Sequence, residues 1–428
     1  LKIAAPIVLS NATVPLLGAV DTGVVGQLGL AAPIGAVGLG AVVLATVYWV
    51  FGFLRMGTSG LAAQAHGAGD MAERGAILMR ALGIGLVAGA VFIAAQGAIA
   101  WCAFKVAPAS AEVEALARHY LAIRIWGAPA TVGAYALTGW LIAVERTKSV
   151  LALQLWINVV NIALDLWFVL GLGWGVAGVA GATLIAEWSG LVLGLWLCRD
   201  GVVPWLRPAL ARVLDAPALR VMLAVNRDIM IRSVLLQLSF TTFVFLGARF
   251  GDGTLAANQV LMQFLSITAY ALDGFAFAAE SLVGQAVGAR AAGLVRRASR
   301  MAMQWGFAGG VAMALAFAAF GPAIIDLMTT APDVRAEARV YLPWMVISPL
   351  IGVAAWIYDG IFIGATLTRE MRRAMTVSVA VYAVALAVLV PAFHNNGLWA
   401  ALMVLNGVRG ITMARAFPAA EAKAKAAG

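Results

Sequence analysis

The chain has 428 residues, 63% of them hydrophobic and 11% charged, with a mean hydropathy of +0.94 and a formal net charge of +9. Soluble domains carry about 25% charged residues, so one large water-soluble core is excluded and a polytopic membrane protein is expected. The basic residues fall in short clusters between apolar runs rather than in a patch interleaved with aromatics, so nucleic acid is excluded as a partner.

A helix needs about 20 apolar residues to cross the bilayer, and cutting the chain at Gly, Pro and charge clusters gives about twelve spans. In chain order they are 3–28, 33–65, 76–101, 115–144, 149–172, 177–198, 221–249, 254–287, 294–320, 334–364, 372–393 and 397–416. The first contains an acid, Asp21, in an otherwise apolar and small-residue stretch, AVDTGVVG. The fourth carries Tyr120 and Thr138.

The fifth span carries Gln154, Asn158, Asn161 and Asp165 at steps of four, three and four, which places all of them on one helical face. A polar stripe on a spanning helix must face the bundle interior or water, not lipid. Asn161 and Asp165 are one turn apart, so the Asn amide can donate to the carboxylate or bridge to it through water. Thr183 and Glu187 of the sixth span, and Tyr120, can join this site. The competing reading is that the stripe only glues helices together, although an acid costs about 2.5–3.5 kcal/mol to insert.

The link over 198–220 contains three prolines and several charges, and reads as a polar connection between two halves. The domains expected are an N-lobe of six spans over 1–200, a cytoplasmic linker over 201–220, and a C-lobe of six spans over 221–428 with a short cytoplasmic tail. Lys and Arg are in excess in the loops that include Arg74, Arg146, Arg207, Arg296 and Arg372, which makes those loops and both termini cytoplasmic.

In the second half the intramembrane acids are Asp273 and Glu280, seven residues apart and on one face, and Asp359. They are candidates for substrate contact or for pairing with Arg232. Cys102 and Cys198 are expected at opposite faces of the membrane and unpaired.

The halves repeat at an offset of about 221 residues. GLAAQAHGA (60–68) aligns with SLVGQAVGA (281–289), and Tyr120, Gly139 and Ile142 fall on Tyr341, Gly360 and Ile363. Six spans per copy make this a parallel repeat, a natural frame for alternating access by two lobes that rock about a cleft. The acids are not duplicated: Asp165 falls on Leu386, Asp21 near Thr242, and Thr138 on Asp359. The lobes are therefore expected to have different tasks.

These residues resemble a known family. PIVLSNATVPLLGAVDTGVVGQLG is similar to the first helix of the multidrug and toxic compound extrusion (MATE) family. NVVNIALDLWFVLGLGWGVAGVAGATLIAEW, VNRDIMIRSVLLQ, AYALDGFAFAAES and DGIFIGAT resemble its DNA-damage-inducible (DinF) subfamily. The resemblance implies an all-α fold of two pseudo-twofold-related six-helix bundles. It also implies export of organic, often cationic compounds against inward protons or sodium. It assigns the family's coupling acid to Asp21, its fifth-helix pair to Asn161 and Asp165 and its sixth-helix Thr to Thr183. Tyr120 and Thr138 match less closely.

The function expected is a secondary antiporter of the bacterial inner membrane that exports organic cations in exchange for protons. It would work as a monomer, with membrane lipid and small organic molecules as its partners and no cofactor beyond the coupling ion. Sodium coupling and flipping of a lipid-linked substrate are the alternatives. Catalytic Ser–His or Cys–His pairings, a His–Glu metal motif and a phosphate-binding loop are not recognisable, so an enzyme is not expected.

Overall fold

A computed structural model of the chain describes residues 2–27, 30–106 and 109–426; the expected bounds at 1, 28 and 428 lie outside these. The described residues are helical nearly throughout and contain no β-strand. In chain order the helices are α1 (Ala4–Gly26), α2 (Ala31–Trp49), α3 (Gly52–Gly67), α4 (Met71–Ala94), α5 (Gln96–Val106), α6 (Ala111–Arg124), α7 (Ala128–Ala143) and α8 (Thr147–Asp165). They continue with α9 (Gly175–Val202), α10 (Leu206–Val213), α11 (Ala216–Gly247), α12 (Asp252–Gly288), α13 (Ala292–Met328), α14 (Pro332–Gly364), α15 (Thr368–Ala416) and α16 (Pro418–Ala426).

Among the described residues, nine helical stretches are long and apolar enough to cross a membrane. The first and fourth expected spans, α1 and the α6–α7 pair, add two, and a break at His394 divides the last stretch into two spans. This makes twelve, as the sequence predicts.

Several spans are broken where the sequence reads them as continuous. The fourth passes through a 3-10 turn, Ile125–Gly127, because Pro129 has no N–H to donate back into the preceding turn. The second divides at residues 50–51, where Phe51 leaves the helix and packs against Phe53 and Phe92. The third divides at Ala95, for which the structure offers no physical reason.

The link over 198–220 is largely helical. It continues α9 to Val202, makes a 3-10 turn at Val203–Trp205 and forms α10. Pro204 lies in the 3-10 turn, and Pro208 and Pro217 lie in the first turns of α10 and α11 respectively, where a missing N–H costs nothing.

The backbone repeats the internal duplication. Gly69 and Arg290, Glu145 and Thr366, and Gly173 and His394 each pair at the 221-residue offset, and all six have positive φ, between 49° and 74°. These are the turns that end corresponding helices. The tightest helix crossings recur as well. A Cβ on Gly139 would stand 2.3 Å from the carbonyl oxygen of Arg55, and one on Gly360 would stand 2.1 Å from that of Ala276. Both the glycines and their partners are related by the same offset.

The chain divides into two compact units, Leu9–His66 with Asp70–Met222, and Leu223–Gly428 with Leu1–Val8 and Gly67–Gly69. The core of the first gathers Tyr48, Tyr120, Leu121, Val176 and Val179. In the second, Phe243 meets Trp399 edge-on at 4.5 Å between ring centroids, and the Trp399 indole donates to Asn258. Asn258 and Asn395 exchange amide hydrogen bonds of 2.8 and 3.0 Å just past the His394 break. This exchange satisfies the side chains of two buried amides within an apolar core. Cys102 is exposed on α5, Cys198 is buried on α9, and both are free thiols.

Candidate ion-coupling site

The polar stripe of α8 faces inward. Asn158, Asn161 and Asp165 are buried, and the apolar residues Leu155, Trp156, Val159 and Leu166 are exposed on other faces. The periodicity of four, three and four therefore sorts this helix as expected for lipid outside and a polar interior. Asp165 is the last residue of the regular α-helix. A π-type turn, Leu166–Gly171, follows it, a local widening often found beside functional residues.

Asp21 of α1, Asn161 and Asp165 of α8, and Thr183 of α9 come together in the first unit, each no more than 5% exposed. Asp21 and Asp165 lie within electrostatic reach of each other. The Asn161 amide donates to Thr183 Oγ1 at 3.0 Å, and the Thr183 hydroxyl has Val179 O at 3.0 Å and Asp21 Oδ2 at 3.5 Å as acceptors. The sequence suggests that the Asn161 amide serves Asp165; in the structure it donates to Thr183, and its side chain also acts on the carboxyls of Asp165 and Asp21. Asn158 stands one turn away, accepts from Gln154 at 3.2 Å and donates to the carbonyl of Thr13 at 3.1 Å, so it ties α8 to α1.

The outcome is a group of buried oxygens that accept and have nothing to accept from. Asp21 Oδ1, Asn161 Oδ1 and both carboxyl oxygens of Asp165 have no hydrogen-bond donor among the described residues. A buried acceptor left unsatisfied costs roughly 1–3 kcal/mol, more if charged. Four together suit a proton or a hard cation, both of which bind oxygen.

Arg124 is part of this neighbourhood, and the reading of the sequence misses it. Its guanidinium forms a two-pronged pair with Glu187, at 2.7 and 3.0 Å, with both side chains nearly buried. Gly127 makes room for the pair, since a Cβ there would stand 2.2 Å from Glu187 Oε2. The signal available in the sequence is a basic residue in the fourth span and an acidic one in the sixth, which is meaningful only once α6 and α9 are known to be neighbours. Arg124 lies within electrostatic reach of both Asp21 and Asp165. Tyr120, one turn before it, is packed into the notch left by Gly40 and meets Arg124, with Asp21 also within electrostatic reach. Glu187 is thus bound in an ion pair at the edge of the site. Thr138 is half-buried on α7 and makes none of the site's hydrogen bonds.

The second-unit acids are differently placed. Asp359 is engaged by two guanidinium groups, those of Arg232 and Arg409, the latter at 2.6 Å. It is therefore a member of a buried ion cluster through its Oδ2, while its Oδ1 has no hydrogen-bond partner among the described residues. The pairing with Arg232 that the sequence offers as an alternative is the one present, joined by Arg409. Asp273 is half-buried on α12 and acts electrostatically on Arg409, and Glu280 is buried two turns further on.

The MatE family profile matches residues 6–167 and 229–389, that is, one stretch in each copy of the repeat. The chain is 40% identical to DNA damage-inducible protein F of Escherichia coli (strain K12), over 96% of this chain and 90% of that one. A crystal structure of the Vibrio cholerae MATE transporter VcmN in the bent form superposes with a TM-score of 0.89 at 19% identity, covering 99% of this chain and 96% of that one. The outward-facing conformation of a multidrug resistance MATE family transporter of the MOP superfamily gives a TM-score of 0.87 at 20% identity, covering 99% and 95%. With the profile match on both repeats and the extended identity to protein F, the chain belongs to the MATE family of membrane transporters, in its DinF subfamily.

Proposed function

We propose that this transporter is a secondary antiporter of the bacterial inner membrane, with both termini cytoplasmic, that exports organic, often cationic and amphipathic compounds in exchange for inward protons. The observation that carries this reading is the cluster of buried acceptor oxygens on Asp21, Asn161 and Asp165. Two adjoining carboxylates repel in a low-dielectric site, and a proton relieves that repulsion. Arg124 and Glu187 cancel each other's charge, so Asp21 and Asp165 set the net charge of the site.

Protons entering from outside neutralise these two acids. Loss of the negative charge weakens the hold on a cationic substrate and gives Asp21 and Asp165 an O–H that can donate to Thr183 or Asn161. The hydrogen bonding between α1, α8 and α9 changes with it. The substrate leaves outward and the protons leave inward, by alternating access of the duplicated units. The membrane-transporter family and the multidrug resistance description of a solved neighbour support the class of cargo.

Sodium is the second reading, because four oxygen acceptors also suit a hard monovalent cation. A flippase for an anionic lipid-linked substrate fits less well, since the acids would repel such a headgroup. The test is efflux of an organic cation from proteoliposomes under a pH gradient without sodium, and under a sodium gradient without a pH gradient. Proton coupling predicts efflux in the first only; efflux in the second only would replace the proton with sodium.

A further inference from the structure

The link between the two repeats carries a surface that its composition does not announce. On α9, Val192, Leu195 and Trp196 are exposed and form a stripe suited to lipid. The stripe ends where the Arg199 guanidinium lies over the Trp196 ring, 3.8 Å from its centroid. A Trp ring with a long basic side chain reaching past it marks the level of the lipid headgroups.

Beyond that level the chain would be expected to turn polar outward, and it does not. Val203, Leu206, Leu210 and Leu214 are all exposed, from 40% for Leu206 to 84% for Leu214. Leu206 and Leu210, four residues apart, share one flank of α10, with Val203 in the 3-10 turn before the helix and Leu214 just past its end. Trp205 is exposed beside them.

The orientation of α10 is fixed from its other side. Ala209 is buried against Gly75, where a Cβ would stand 3.2 Å away. Arg80 of α4 donates to the carbonyl oxygens of Arg212 and Val213, at 2.5 and 3.1 Å. Arg212 pairs with Asp70 at 2.6 Å. These contacts turn the leucine flank outward, and Arg207 borders it.

We infer that α10 lies flat in the headgroup layer of the bilayer, with Val203, Leu206, Leu210 and Leu214 at the acyl boundary and Arg207 toward anionic headgroups. Three observations select lipid as the occupant. The flank continues the lipid-facing stripe of α9. It begins four residues past the Trp196–Arg199 stack, a rise of about 6 Å, which is still inside the interfacial layer. A Trp and an Arg border the apolar side chains, as they do on helices that bind membranes in plane.

The test uses the full chain with Cys102→Ser, the buried Cys198 retained, and a spin label at Leu210→Cys or, separately, at Ala211→Cys. Each is reconstituted in phosphatidylcholine vesicles with or without phosphatidylglycerol. The label at 210 is expected to collide more with dissolved oxygen than with a water-soluble nickel chelate, with the preference reversed at 211. Phosphatidylglycerol is expected to increase the oxygen preference at 210, and Arg207→Glu to abolish that increase. A label at 210 reached mainly by the nickel chelate would place the flank in water. A label reached by neither reagent would place it under protein. Either result overturns the inference, and indifference to phosphatidylglycerol overturns the headgroup contact.

Discussion

At the residue scale, the site divides into charges that are paired and carboxyl oxygens that lack a partner. Arg124 and Glu187 hold each other in two-pronged geometry, whereas Asp21 and Asp165 lie within electrostatic reach of one another with most of their oxygens unserved. Removing one partner of a buried pair leaves the other uncompensated, so Glu187→Gln is expected to destabilise the protein by about 3–5 kcal/mol. Arg124→Met with Glu187→Leu removes both charges and should restore most of that loss, and thermal unfolding in detergent compares the two variants. Failure of the double variant to recover would mean that the pair acts through packing instead. The stripe of Asn158, Asn161 and Asp165 is legible in the sequence because helical periodicity alone places those residues together. Arg124–Glu187 and the two guanidinium partners of Asp359 are not legible, because each joins residues more than 45 positions apart whose meeting depends on which helices pack.

At the scale of the element, α4 shows how a helix start serves the molecule. Asp70 caps it by accepting from the Glu73 backbone N–H at 3.0 Å, and it also pairs with Arg212 at the end of α10. Partial burial pushes the Asp70 carboxyl pKa up, but the Glu73 N–H and Arg212 outweigh this and hold it below the ordinary 3.8. A carboxylate depressed in the folded state contributes stability that is complete above its unfolded pKa and lost as pH falls through the folded one. Asp70→Ala should therefore cost about 1 kcal/mol at neutral pH, and the gap to the wild-type melting temperature should close in acid below 3.8. A gap independent of pH would remove the ionised cap from the account. The spans are visible as elements because lipid demands long apolar runs. The breaks at residues 50–51, and the helix inside the proline-bearing link, depend on local packing that hydropathy does not encode.

At the scale of the whole molecule, duplication is the organising fact. It is legible as a constant offset between two pairs of short motifs, and it returns in backbone turns whose residues have nothing in common, Glu145 with Thr366 and Gly173 with His394. Gly139→Ala and Gly360→Ala test whether the crossings are equivalent. Each inserts a methyl against a backbone carbonyl that cannot move aside, and each should cost about 1–3 kcal/mol in thermal unfolding. A loss confined to one of them would show that the copies have diverged in packing as well as in charge. They have diverged in charge: the first unit brings Asp21 within electrostatic reach of Asp165, while the second holds Asp359 between two arginines. We propose that proton exchange takes place in the first unit. Its most direct test is substrate-driven proton counterflow in proteoliposomes, followed with a pH-sensitive dye trapped inside, for the wild type, Asp21→Asn and Asp165→Asn. The prediction is counterflow in the wild type and its loss in both variants while each remains folded; counterflow undiminished in both would contradict it.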